Sequence, residues 1–157
     1  MRTRKTNLLA ALGLLLGSAA VLPGCGASSG TIQFRCGPDI NGGLALAVDV
    51  IRATDQEAQA IQQKGEQWFY DSTRYNIQGQ GRLQTVTFTT GAGTGPCDKT
   101  VTVPVAKGER QLVIIADYKF QNTDPTKTVI VLPREKWIGQ KVLVSVLERE
   151  LSIERRW

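Results

Sequence analysis

Histidine is missing from all 157 residues. That removes the commonest general base and the commonest metal ligand together. Cysteine occurs three times, at Cys25, Cys36 and Cys97, with no Cys-x-x-Cys spacing. A catalytic dithiol is therefore excluded, and isolated cysteines without histidine do not make a zinc site. Aromatics are only 6% of the chain, too few for stacking platforms that bind bases or sugars. Charge is also scarce. The formal net charge is +5, but Arg2, Arg4 and Lys5 lie in an amino-terminal leader that holds no acid, and the remainder carries +2. That is too weak a field to expect a nucleic-acid partner. With 41% apolar and 21% charged residues the chain is nonetheless a folding one, of a size for one domain.

What is present begins with an address. Met1 to Lys5 is basic, and Leu8 to Val21 is an apolar run too short to span a bilayer. It ends in Leu22-Pro23-Gly24-Cys25, which looks like a bacterial lipobox. Residues 1–24 are then a lipoprotein signal peptide, and Cys25 is the acylated first residue of the mature chain, with palmitate-type chains as the anchor. Stable anchoring takes about two acyl chains, which a lipidated cysteine supplies. Gly26 stands where inner-membrane lipoproteins often carry Asp, so by that resemblance the destination is the periplasmic face of the outer membrane. Residues 25–30 read as a lipidated tether, and 31–157 as the folded domain. An ordinary cleaved signal with a chance cysteine is the alternative. In an oxidising compartment Cys36 and Cys97 are most simply a disulfide, with two unpaired thiols the alternative.

The dominant period along the mature chain is two. Ile32, Phe34 and Cys36 share one face of a first strand; Leu44, Leu46, Val48 and Val50 share one face of a second. Val86 and Phe88 mark another, then Val101 to Val105, with Pro104 on the outward face suggesting a sheet edge. Leu112 to Phe120 is apolar on both faces in its first half. Val129 to Leu132 and a run from Lys141 to Ile153 follow, and one or two weaker strands are expected between Ser72 and Leu83. Glycine- and proline-rich segments separate them, including Gly37 to Gly43 and Gly91 to Pro96. The expected fold is mainly β: a two-sheet β-sandwich of seven to eight strands. One helix interrupts it after the second strand. Thr54-Asp55-Gln56-Glu57 forms a capping box and Gly65 a natural stop, and Trp68, Phe69 and Tyr70 are expected to pack the helix onto a sheet.

Catalysis is not expected. Asp49, Asp71 and Asp117 read as solvated acids at strand edges, not as a catalytic carboxylate pair. Gly91 to Gly95 lacks the lysine and following helix of a phosphate loop. No cofactor and no metal are implied.

A lipobox, a short tether and a β-sandwich with a helix after its second strand resemble the outer-membrane lipoprotein of the type VI secretion system, the TssJ family. The segments that carry the likeness are Cys36 to Gly43 leading into Leu44 to Val50, then Trp68-Phe69-Tyr70-Asp71, then Leu112 to Tyr118. The chain departs from the family in lacking a Trp-Arg pair after the last of these, and in its two additional cysteines. The resemblance implies a structural role. The protein would tether the envelope-spanning complex to the outer membrane by binding the periplasmic domain of an inner-membrane secretion-system protein. The implied contact is the loop between the first two strands, here Asp39, Ile40 and Asn41, with Ile40 expected exposed at the tip. Two alternatives stand beside it: an assembly or pilot factor for another envelope machine, and a sandwich that binds a small ligand.

Overall fold

The structure, a computed structural model, describes residues 29–37, 39–89, 97–119 and 124–154. The expected signal peptide, Cys25 and the loop Gly91 to Pro96 lie outside the described residues. Among the described residues there are eight strands: β1 (Ser29–Cys36), β2 (Leu46–Ala53), β3 (Leu83–Phe88), β4 (Lys99–Pro104), β5 (Gln111–Ala116), β6 (Val129–Pro133), β7 (Lys141–Val146) and β8 (Leu151–Glu154). Three helices accompany them: α1 (Asp55–Lys64), α2 (Ser72–Gly79) and the single turn α3 (Pro125–Thr128). The strands form two four-stranded sheets, ordered β4-β1-β7-β8 and β3-β2-β5-β6. The fold is the expected β-sandwich, and Pro104 does lie on an edge strand.

Period-two patterning explains the layers. Ile32 and Phe34 of β1, Val101 and Val103 of β4, and Val142, Val144 and Val146 of β7 face Leu46, Val48, Leu112 and Ile114 of the other sheet. Phe34 meets Phe88 edge-on at 5.4 Å between ring centroids, a favoured aromatic geometry. The second sheet is buried on both sides. Ile51, Ala53, Val113 and Ile115 point away from the first sheet, into a smaller core closed by Ala58, Ile61, Trp68 and Ile77 of the helical layer. This is why β5 carries no polar face between Leu112 and Ala116.

Helix α1 starts as its capping box requires. Thr54 Oγ1 accepts from Glu57 N at 3.2 Å, and Glu57 Oε2 accepts from Thr54 N at 2.9 Å. Gly65 ends it at φ 51. The aromatic segment divides: Trp68 is buried, Phe69 packs partly against it, and Tyr70 projects into solvent.

Three expectations are corrected. Between Ser72 and Leu83 there is a helix, α2, where weak strands are expected; the Asp71 carboxylate caps it by accepting from Thr73 N at 2.7 Å. The run from Lys141 to Ile153 is two strands, because the charged residues Glu148-Arg149-Glu150 form a turn closed by Leu147 N donating to Glu150 O at 2.9 Å. The sheet also begins at Ser29, inside the expected tether. Ser29 O accepts from Gly139 N at 2.9 Å, and Gly30 lies so close to Trp137 that a Cβ would fall 2.3 Å from the Trp137 carbonyl oxygen. Glycine at position 30 serves this close approach and not flexibility.

Candidate functional site

The connection from β1 to β2 is short and tightly wound. Asp39 (φ 56), Asn41 (φ 50), Gly42 (φ 60) and Gly43 (φ 81) all lie in the left-handed region, which only Gly and, less readily, Asn and Asp adopt at modest cost. That run turns Ile40 inward. Ile40 is fully buried in the inter-sheet core, contrary to its expected exposure. The reason is that the loop crosses the open end of the sandwich, and the Ile40 side chain plugs the gap between the sheets. Asn41 is buried as well. Its Oδ1 accepts from Lys119 N and its Nδ2 donates to Ala45 O, both at 2.9 Å, while its backbone N donates to Glu148 O at 3.0 Å. Of the three residues singled out for the partner contact, only Asp39 faces solvent.

Other side chains share this end. Leu44 is 58% exposed and Tyr70 73%. Lys119 Nζ lies 6.0 Å from the centre of the Tyr70 ring and 2.5 Å from Asp117 Oδ2, a pairing that holds the ammonium above its usual range. Cys36 and Cys97 form a disulfide, with Cα atoms 5.7 Å apart. It ties the end of β1, where the loop departs, to the segment that leads into β4. The loop is thus fixed by a covalent bridge, a buried plug and the hydrogen bonds of Asn41. No three His, Cys, Asp or Glu side chains among the described residues are grouped to hold a metal ion.

No family model matches the chain, and no curated protein matches it. Solved structures do. The T6SS lipoprotein TssJ1 from Pseudomonas aeruginosa superposes with a TM-score of 0.56 at 14% identity, over 83% of this chain and 98% of that one. Serratia marcescens Lip, a membrane-bound component of the type VI secretion system, gives 0.52 at 13%, over 83% and 99%. A chain in the structure of the T6SS protein TssM C-terminal domain from EAEC gives 0.62 at 14%, over 82% and 99%. The chain has the TssJ fold.

Within this TssJ-type sandwich one polar cluster departs from the pattern expected of the sequence. Asp49 is expected as a solvated acid at a strand edge, yet it is fully buried under the helical layer. β2 is an inner strand, so its outward side chains meet α2 and the aromatic segment instead of water. Asp49 Oδ2 accepts from Arg74 Nε at 2.6 Å and from Trp68 Nε1 at 3.0 Å. Its Oδ1 accepts from Arg74 Nη2 at 3.0 Å and from Thr85 Oγ1 at 2.6 Å. Arg74 also stacks over Phe69 at 5.5 Å, and the Asp49 hydrogen bonds push its pKa up. The cluster fastens the helical layer to the sheet. Asp71 likewise is a helix cap, with Lys64 Nζ 2.5 Å from its carboxylate, which lowers its pKa to about 2.

Proposed function

We propose that the chain is a non-enzymatic periplasmic lipoprotein, anchored to the outer membrane through acyl chains on Cys25. In this reading it tethers the envelope-spanning complex of a type VI secretion system by binding the periplasmic domain of an inner-membrane partner. One observation supports the reading: β1 runs from the end of the sandwich nearest Cys25 in the chain to the end that carries the loop. Ser29, four residues after Cys25, stands at one end of the sandwich. The stiffened loop from Gly37 to Leu44 stands at the other, about 25 Å away by the rise of an eight-residue strand. A protein held at one end presents the other to the periplasm. The likeness in fold to a chain in a TssM structure favours a TssM-like partner. The small-ligand alternative calls for a concave apolar pocket, whereas Phe34, Phe88, Tyr118 and Trp137 fill the space between the sheets.

The contact is built on Asp39 and Leu44, with Ile40 and Asn41 holding the loop from beneath. The test is the titration of the cognate TssM periplasmic domain against the Asp39→Asn, Leu44→Ser double variant. Asparagine tolerates the left-handed backbone, so stability should stay within about 0.5 kcal/mol of the parent. Affinity should fall about tenfold or more, roughly 1.4 kcal/mol. Unchanged affinity in a folded double variant refutes the assignment of the loop.

A further inference from the structure

The opposite end of the sandwich has a distinct chemistry. It is assembled from the β4–β5 turn, the start of α1 and the connection from β6 to β7. Pro104 pairs with Ser29, Arg110 N donates to Ala53 O at 3.0 Å, and Gly139 N donates to Ser29 O, so these segments converge where the chain leaves the described fold toward Cys25. Lys107, Arg110, Arg134, Lys136 and Lys141 are all exposed here, against the exposed acids Asp55 and Glu135. Among the described residues, Lys107, Arg110, Arg134 and Lys141 form no ion pair. At the loop end, by contrast, Lys119 pairs with Asp117, Lys127 with Glu150 and Arg149 with Glu148. The whole chain beyond its leader carries only +2, so this excess is a matter of placement. Lys107, Arg110 and Arg134 line an open surface cleft together with Asp55 and Glu135, so cations outnumber acids there by one.

We infer that this end is a docking surface for the phosphate-bearing headgroups of anionic phospholipids. The inference rests on the anchoring at Cys25 proposed above. Residues 25–28 can span at most about 14 Å, so an acylated Cys25 holds this end against the headgroup layer. The screening length in physiological salt is about 8 Å, so cations placed there feel the surface charge of the leaflet. Acyl chains alone leave a tethered domain free to tilt. Basic residues at the anchored end set its orientation, keeping the loop end directed away from the membrane. An acidic protein partner offers charge of the same sign, but the short reach from Cys25 places the lipid first at this surface.

The test uses the full acylated protein purified from membranes and incorporated into two sets of vesicles. One set is phosphatidylcholine alone; the other contains about 30% phosphatidylglycerol, a charge density at which each nearby basic residue contributes about fivefold to binding. Amine labelling followed by mass spectrometry reads the accessibility of Lys107 and Lys141, with Lys119 as the distal control. The expected result is several-fold protection of Lys107 and Lys141 only on the anionic vesicles. Protection should disappear in about 0.5 M salt, where the screening length is near 4 Å. The Arg110→Glu, Arg134→Glu variant, with an unchanged thermal melt, should lose the protection of both lysines. Equal labelling on the two vesicle types overturns the headgroup surface and leaves the anchor intact. Protection that instead requires the TssM periplasmic domain overturns it in favour of a protein contact. Failure to enter phosphatidylcholine vesicles overturns the anchoring reading, and this proposal with it.

Discussion

Replacing Asp49 by alanine is the sharpest test of how the helical layer is held. The substitution deletes a fully buried carboxylate and four hydrogen bonds, from Arg74 Nε and Nη2, Trp68 Nε1 and Thr85 Oγ1. It strands the Arg74 guanidinium, whose side chain is only 15% exposed, and a buried indole N–H. Removing one member of a buried ion pair costs about 3–5 kcal/mol, chiefly because the remaining charge is left without compensation. For a domain of this size that lowers the melting temperature by roughly 10–20 °C, out of a total stability of about 5–15 kcal/mol. Thermal unfolding followed by circular dichroism measures it. Two companions separate charge from packing. Asp49→Asn keeps one acceptor but turns an amide N–H toward a donor, and should fall between alanine and the parent. The Asp49→Leu, Arg74→Met pair removes both charges and should recover more than half of the alanine loss. A loss below about 1 kcal/mol for Asp49→Ala refutes the idea that this cluster fastens the layer.

Two further outcomes are expected. Glu57 is held by Arg82, whose Nη1 and Nη2 donate at 2.8 and 2.7 Å, and its pKa falls from an ordinary 4.5 to about 2. A carboxylate depressed in the folded state stabilises above its unfolded pKa, so this contribution is complete above pH 4.5 and is lost as pH falls toward about 2. After a discount for its 29% exposed side chain it amounts to roughly 1–2 kcal/mol, and Arg82→Gln should flatten that part of an acid titration of stability. The Cys36–Cys97 bridge closes a loop with a sequence separation of 61, so the double serine variant should lose about 4 kcal/mol in denaturant unfolding. Two labelled thiols in the denatured, unreduced parent refute the bridge.

The sandwich was legible because its strands have one wet face: Ile32 and Phe34 alternate with Gln33 and Arg35, and the structure buries the first pair only. The capping box at Thr54 and the edge at Pro104 were legible for the same local reasons. What escaped was tertiary. Asp49 alternates with Val48 and Val50 as a surface acid does, and nothing local announces that Trp68 and Arg74 cover it from 19 and 25 residues away. Ile40 between two polar neighbours reads as a loop tip, and only the left-handed backbone of Asp39, Asn41, Gly42 and Gly43 around it reverses this. The helix α2 has one buried residue, Ile77, too little to show a helical period, although Asp71-Ser72-Thr73 carries the cap. The candidate contact is a loop at one end of the sandwich, and two of the three side chains expected at its surface, Ile40 and Asn41, are instead its buried supports.

The position of β1 has a mechanical meaning. The strand that leads back toward the proposed anchor is an inner one, hydrogen-bonded to β4 on one side and to β7, in parallel, on the other. A pull on Ser29 directed away from the loop runs along the strand axis, at right angles to those bonds. Six residue pairs on each side then share the load in shear, and none can open before its neighbours as in a zipper. Beyond the last of them the disulfide at Cys36 passes the remaining tension into β4. An edge strand in the same place would peel. Under the proposed anchoring at Cys25, the fold is strongest in the direction in which a load on the loop end would pull.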